Sequence, residues 1–371
     1  MSTQQQYRPV AADQGRRLFD PLTIRSVTFA NRAWLSPMCQ YSAEGGLPGD
    51  WHLAHLGARA AGGFGLVMAE STAVSPESRI SLHDTGLWND AQRQAWQRIV
   101  SFVHTRGAKI GIQLSHAGRK ASIRRPWDAD QGSLPAAHGG WRTTSVDDVP
   151  FPGLDAPRRL NLDDIAVIVD DFAAAARRAD AAGFDVLEIQ AGHGFLLHSF
   201  LSPLSNQREG RYGGSPQNRA RLLFEVIDSA RGVWPSDKPL FVRFSVTDWL
   251  ADGLVPADIT ALTQQLHQHG VDLIDVSSGG LLPARPPISP SYHVPLADSI
   301  RNSGQFPVAV VGEIDSPQQA QKVIDSGSAD AIFLGRAALR DPMWTLRAAH
   351  ELDVTDRDWL WQPQYVRGNW T

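Results

Sequence analysis

The sequence predicts an α/β fold: a single closed (β/α)8 barrel with an N-terminal hairpin and one long excursion after its third strand. Three observations predict it. Short apolar runs recur with amphipathic helical patterns between them, which is how the βα units of a parallel sheet read. The runs number eight. The 371 residues, 42% hydrophobic and 20% charged, have ordinary globular composition and enough length for one large domain.

Taken in order, residues 1–17 are polar and predict a frayed extension or an arm wrapped on a neighbour. LTIRSVTFANR predicts a short hairpin that plugs the bottom of the barrel. The strands are expected at Ala33–Ser36, Leu66–Glu70, Lys109–Leu114, Val186–Gln190, Leu240–Phe244, Leu273–Val276, Val308–Val311 and Ala331–Leu334. Helices lie between them. Over Asp163–Ala182 the residues Ile165, Ile168, Val169, Phe172, Ala175, Ala176 and Ala179 follow the helical i, i+3, i+4 spacing. Another helix starts at DSPQQA, with Ser316 as N-cap and Pro317 at the first position, where its missing N–H costs nothing. Residues 119–157, rich in Gly, Pro, Trp and Asp, are too long for an ordinary βα loop and predict a lid over the exit of the third strand.

Composition narrows the function. A single cysteine, Cys39, excludes an intrachain disulfide and any multi-cysteine metal or cluster site, and suits a reducing compartment. The first residues lack the apolar core of a secretory signal, and no run of about 18 apolar residues occurs, so a cytoplasmic protein without a membrane span is expected. A formal charge of −4 with scattered arginines offers no footprint for nucleic acid. The expected partner is a small-molecule substrate, with no metal.

In a barrel of this kind the chemistry sits at the C-terminal strand ends. Those ends read Ser36, Pro37, Met38, Cys39 and Tyr41 after the first strand; Ser71 after the second; Gln113, His116, Arg119 and Lys120 in and after the third; and Gln190 and His193 at the fourth. Arg243 lies in the fifth, Gly312 ends the seventh, and Gly335 and Arg336 end the eighth. Glycines after strands seven and eight, with an arginine, are where such barrels hold a phosphate, because bare backbone N–H groups can approach the anion. The residues alone leave alternatives open. Cys39 is equally a small inert hydrophobe, Gln113 a strand-end amide, Arg243 half of an ion pair, and His116 and Lys120 anchors of the excursion. A non-redox lyase on the same phosphate loops is disfavoured where it needs a Schiff base: the sixth strand ends IDVSSGG without a lysine, and Lys109 begins its strand.

PMCQY, GIQLSHAGRK, HGFLLHSFLSPLSNQREGRYGGSPQNRARLLFEVI, LFVRFSVTDW and FLGRAALRDP together resemble the old yellow enzyme family of FMN-dependent ene reductases. The cysteine and the short chain are similar to its thermophilic-like branch, which includes the xenobiotic reductases. The resemblance runs from Leu18 to Trp370. It implies FMN across the barrel mouth, reduced by NADPH or NADH. Gln113 would meet the pyrimidine edge, Arg243 the ring near N1 and O2, and Ser36, Pro37, Met38 and Ser71 the length of the ring. Cys39 would tune the potential, and Gly312, Gly335 and Arg336 would hold the phosphate. Gln190, His193, Tyr41 and Phe195 would face the substrate. The terminal QYVRGNW, within a tail at 360–371, resembles one that places an arginine, here Arg367, in a neighbouring active site, which implies a homodimer or homotetramer.

One departure matters. The family pattern has His or Asn at two positions three apart, then a tyrosine two residues on; here the three read Gln190, His193 and Phe195. A glutamine amide can still donate to an oxyanion. Phe195 can protonate nothing. In the implied reaction the donor pair stabilises the enolate oxygen while the tyrosine protonates the α-carbon, a step worth a factor of about 10² to 10⁴. The pattern leaves open a slow ene reductase with another proton source, reduction of nitro compounds or quinones, and dehydrogenation or isomerisation of a ketone. A flavoprotein that binds a ligand without turnover is a further alternative.

Overall fold

The computed structural model of the chain describes residues 17–304, 306–355 and 357–370. Residues 1–16, nearly all of the expected extension, lie outside them. The strands are β1 (Leu22–Ile24), β2 (Val27–Phe29), β3 (Ala33–Leu35), β4 (Leu66–Ala73), β5 (Lys109–Ser115), β6 (Thr144–Ser145), β7 (Arg158–Arg159), β8 (Val186–Ala191), β9 (Leu240–Ser245), β10 (Leu273–Ser277), β11 (Val308–Val310) and β12 (Ala331–Leu334). Eight of them, β3, β4, β5, β8, β9, β10, β11 and β12, close a parallel barrel in that order. They are the eight expected from the apolar runs, most of them ending one to three residues later or earlier than the runs suggest. The ends differ because a strand stops where its ladder partner stops, which a single run does not show.

Successive residues of a strand point to opposite sides, so each barrel strand feeds the outer core and the inner one alternately. Inside, Trp34, Leu66, Met68, Val186, Phe241, Leu273 and Phe333 pack together with Val27 and Phe29 of the hairpin. Trp34 and Phe241 stack at 5.9 Å with an interplanar angle of 12°, and Phe29 approaches Trp34 to 4.7 Å. The hairpin therefore closes the floor. Outside, the helix Leu162–Ala182 buries Ile165, Ile168, Phe172, Ala175, Ala176 and Ala179, the expected stripe. It begins one residue early because Asn161 caps it, accepting the Asp164 N–H at 2.8 Å. Ser316 caps the helix Pro317–Asp325 reciprocally with Gln319.

Residues 119–157 contain the turn Ala136–His138, a bridge between Ile123 and Ser133, and β6, which pairs in parallel with β7. Buried Arg119 donates to the carbonyls of Val149 and Leu281, and Arg208 donates to those of Val146 and Leu160. Two guanidinium groups thus tie both ends of the excursion to the barrel. Among the described residues no helix is long and apolar enough to cross a membrane.

Candidate active site

Above the aromatic floor the inward positions turn polar. Two residues beyond Val186 stands Glu188, and two beyond that Gln190; Arg243 follows Phe241, and Asp275 and Ser277 follow Leu273. The register sets Gln113 beside Glu188, and Arg243 beside both Gln190 and Asp275. On β4 a bulge between Ala69 and Ser71 re-aims the chain, so that Ser71 comes opposite Gln113. Glu70 then turns to accept the Gln40 N–H at 2.8 Å and to pair with His52 at 3.2 Å.

These strand ends enclose a cavity of about 370 Å³. Its wall brings together most residues expected from the sequence: Ser36, Pro37, Met38, Cys39, Tyr41, Ser71, Gln113, Gln190, His193, Phe195, Arg243, Gly335 and Arg336. Gly312 is not on that wall; its neighbour Val311 is, and Gly312 packs against the ring of His293. Arg336 reaches the cavity edge while its guanidinium pairs with Glu313. Arg367 lies in the exposed turn Val366–Gly368 and does not line this cavity.

Gln113, Gln190 and His193 form one hydrogen-bonded chain. Gln190 Oε1 accepts the Gly192 N–H at 2.9 Å, which orients its amide. Its Nε2 then donates to Gln113 Oε1 at 3.2 Å and faces His193 Nδ1 at 3.3 Å. His193 Nε2 lies 2.8 Å from Ser277 Oγ. With Nδ1 accepting, the imidazole hydrogen sits on Nε2 and points to Ser277. Burial, then the nearby cations Arg243 and Lys120, push the His193 pKa well down, so the ring is neutral. Its backbone is in the left-handed region at φ 57°, held by Lys120, which donates to the carbonyls of His193 at 2.8 Å and Gly280 at 3.0 Å. Glycine is required next door: a Cβ on Gly194 would lie 2.2 Å from the Gly280 carbonyl oxygen.

Tyr41, which lines the same cavity and packs with Cys39 against the cluster around Phe195, is also left-handed, at φ 48°. Burial, then the Asp84 and Glu70 carboxylates, raises Cys39 well above an ordinary thiol; burial likewise raises Tyr41, so both keep their protons. Phe195 packs with Ile80, Ala117 and Ala121, and Lys120 Nζ stands 5.5 Å from its ring centre. The sequence reading passed over Glu188 and Asp275, buried carboxyls beneath the cavity, and Ser245 and Ser277, which hold His193. Strand alternation from Gln190 and Arg243 was the available signal. Among the described residues no group of three or more His, Cys, Asp or Glu side chains is placed to hold a metal.

Residues 17–355 match the model of the NADH:flavin oxidoreductase / NADH oxidase family. An NADPH dehydrogenase of Geobacillus thermodenitrificans is 45% identical over 340 residues, covering 91% of this chain and 95% of that one. Among solved structures, morphinone reductase in complex with tetrahydroNAD superposes with a TM-score of 0.77 at 25% identity over 94% of each chain. The old yellow enzyme homologue from Zymomonas mobilis gives a TM-score of 0.75 at 25% identity, covering 96% of this chain and 100% of that one. The chain belongs to the NADH:flavin oxidoreductase / NADH oxidase family, as an oxidoreductase of the old yellow enzyme type whose cofactors are FMN and a nicotinamide.

Proposed function

We propose that the chain reduces the C=C bond of α,β-unsaturated carbonyl compounds, with nitro compounds and quinones as further acceptors and NADPH or NADH as reductant. The observation that carries this is the meeting of Gln190 and His193, 3.3 Å apart, on the wall that also holds Gln113 and Arg243.

The residues fit FMN. Gln113 offers an amide donor and acceptor for the pyrimidine edge, and Arg243, buried, offers positive charge beside it. Ser36, Pro37, Met38 and Ser71 line the same wall. A Cβ on Gly335 would meet nothing nearer than Met38 Sδ at 3.8 Å, which leaves backbone open to a phosphate with Arg336 next in chain. When bound, FMN supplies two-electron transfer from N5. The amide hydrogen that Gln190 turns toward His193 is the one an acceptor's oxygen would take, with the neutral imidazole beside it. Tyr41, whose raised pKa keeps it protonated, is the phenol on the substrate side of the wall, and we assign it or a water the α-carbon proton that Phe195 lacks.

The placement of Phe195 favours a second reading. Its ring is buried against alkyl groups with an ammonium beyond it, so the site suits acceptors that need no carbon protonation there, and equally ketone dehydrogenation or isomerisation. Trp127 meets Tyr41 edge-on at 5.8 Å, which supports residues 119–157 as a lid. Exposed Trp359, Tyr365, Val366 and Trp370 around Arg367 support a tail that reaches a neighbouring subunit of a homodimer or homotetramer.

The test is anaerobic reduction of the protein with NADPH, followed by reoxidation with 2-cyclohexenone in wild type, Phe195→Tyr and Tyr41→Phe. Fast wild type and slow Tyr41→Phe support enone reduction with Tyr41 as donor. Slow wild type restored by Phe195→Tyr moves the native reaction to the second reading. Gln190→Ala and His193→Ala that reoxidise as wild type does would overturn the oxygen-binding role.

A further inference from the structure

Directly beneath the cavity the barrel holds an uneven set of charges. Glu188 of β8 and Asp275 of β10 are wholly buried, and between them in the layer stands Arg243 of β9. Arg243 Nε is 3.0 Å from Asp275 Oδ2. Glu188 Oε1 accepts from Gln113 Nε2 at 2.8 Å, but Glu188 Oε2 has no hydrogen-bond partner among the described residues. Two ionised carboxylates against one guanidinium would leave a net negative charge on side chains that burial has stripped of water contact, which is costly. One proton on a carboxyl removes it. Asp275 faces Arg243 directly and keeps its charge, so the proton falls to Glu188. Burial and then the Asp275 charge raise Glu188 above the carboxylate range, against the opposing pull of Arg243 and of the Gln113 hydrogen bond. The charged groups facing Glu188 are Asp275 and Arg243; β5 contributes only the neutral amide of Gln113.

We propose that Glu188 is a proton-exchanging residue that balances charge beneath the cofactor: it takes up a proton when a flavin bound above Gln113 gains negative charge. This rests on the FMN reading of the site. A hydride from the nicotinamide carries two electrons and one proton, which leaves the flavin one unit more negative. Where Glu188 is ionised beforehand, one proton from water joins its free oxygen, and the total charge of flavin and layer is unchanged. Where Glu188 is already protonated, nothing further is taken up. Starting from ionised Glu188, the buried layer thereby lets reduction proceed without adding a charge that only Arg243 would have to offset. Glu188 touches Gln113 and not the reacting atoms, so it acts as a positioning residue.

The experiment measures the midpoint potential of the holoenzyme against a reference dye from about pH 6 to about pH 9, in wild type and Glu188→Gln, with FMN retention recorded alongside. In wild type the slope of potential against pH doubles on the alkaline side, because two protons then accompany two electrons instead of one. Glu188→Gln keeps the shallow slope throughout. The same break in both proteins, or a break in neither, overturns the proposal while leaving the FMN reading intact. Wild type that retains no FMN overturns that reading and the proposal together. Should the variant not fold, the wild-type infrared difference spectrum between reduced and oxidised protein decides the matter at the alkaline end. A protonated-carboxyl band gained on reduction and shifted in heavy water supports Glu188; its absence overturns the proposal.

Discussion

Ser277 Oγ lies 2.8 Å from His193 Nε2, so the imidazole that faces the cavity from the end of β8 is fixed by a hydroxyl from β10. Two strands that share no direct pairing thus set one ring. Ser277→Ala leaves that N–H without its partner and frees the ring to turn. We expect roughly a fivefold lower kcat/KM for 2-cyclohexenone, the equivalent of about 1 kcal/mol, with FMN content unchanged. Steady-state kinetics on the FMN-loaded variant check it.

Lys120 joins the carbonyls of His193 and Gly280 through one ammonium, and so holds the loops after β8 and β10 together. Lys120→Met keeps the length of the side chain and removes both bonds, leaving two carbonyls to find other donors. A stability loss of about 2 kcal/mol is expected, measured as a lower urea midpoint with an unchanged slope.

Gly312 sits at φ 130°, and a Cβ there would lie 2.7 Å from His293 Nδ1. The ring cannot give way, since Nδ1 is held by the Val311 carbonyl at 2.8 Å and Nε2 by Ser278 Oγ at 2.7 Å. Gly312→Ala is expected to cost about 1–3 kcal/mol from backbone strain alone, read by thermal denaturation of the FMN-loaded protein.

Acid should destabilise the fold. Burial lowers His116 and His293 from 6.5 to about 4, and lowers His193 well below its ordinary value. A lowered histidine binds fewer protons folded than unfolded below pH 6.5, so its stabilising effect is complete above 6.5 and is lost as pH falls toward about 4. The melting temperature should therefore drop steadily between about pH 6.5 and about pH 4, and His116→Gln should flatten part of that drop. A melting temperature constant over the window would contradict the neutral burial of these rings.

Much of the site was legible because it sits at strand ends. Cys39, Ser71, Gln113, Gln190, His193 and Arg243 each follow or finish an apolar run, and closing the barrel brings all such ends to one mouth. The register was not legible. Glu188 and Asp275 read as ordinary charges in chain order, and only the pairing of Gln113 with Glu188 and of Arg243 with Asp275 turns them into one buried layer. Gly312 is expected with the phosphate loop from its strand end and the family resemblance; the tight space between it and His293, which a Cβ would fill, was not legible in chain order. The excursion at 119–157 was recognisable by length, but its anchors, Leu281 for Arg119 and Arg208 for Val146, are far away in the chain.

The sequence by itself determined the eight strands, the hairpin, the Ser316 helix cap and the replacement of a tyrosine by Phe195, because each is a local pattern of apolar spacing or of one residue type. The tertiary structure decided which side chains share the space behind those patterns: that Gln190 and His193 bond to each other, that Lys120 stands behind Phe195, and that Glu188 is left with one free oxygen beside Arg243 and Asp275. Local propensity acts within a few residues of chain, whereas desolvation and charge act through space, and their outcome is set only when the barrel closes and excludes water.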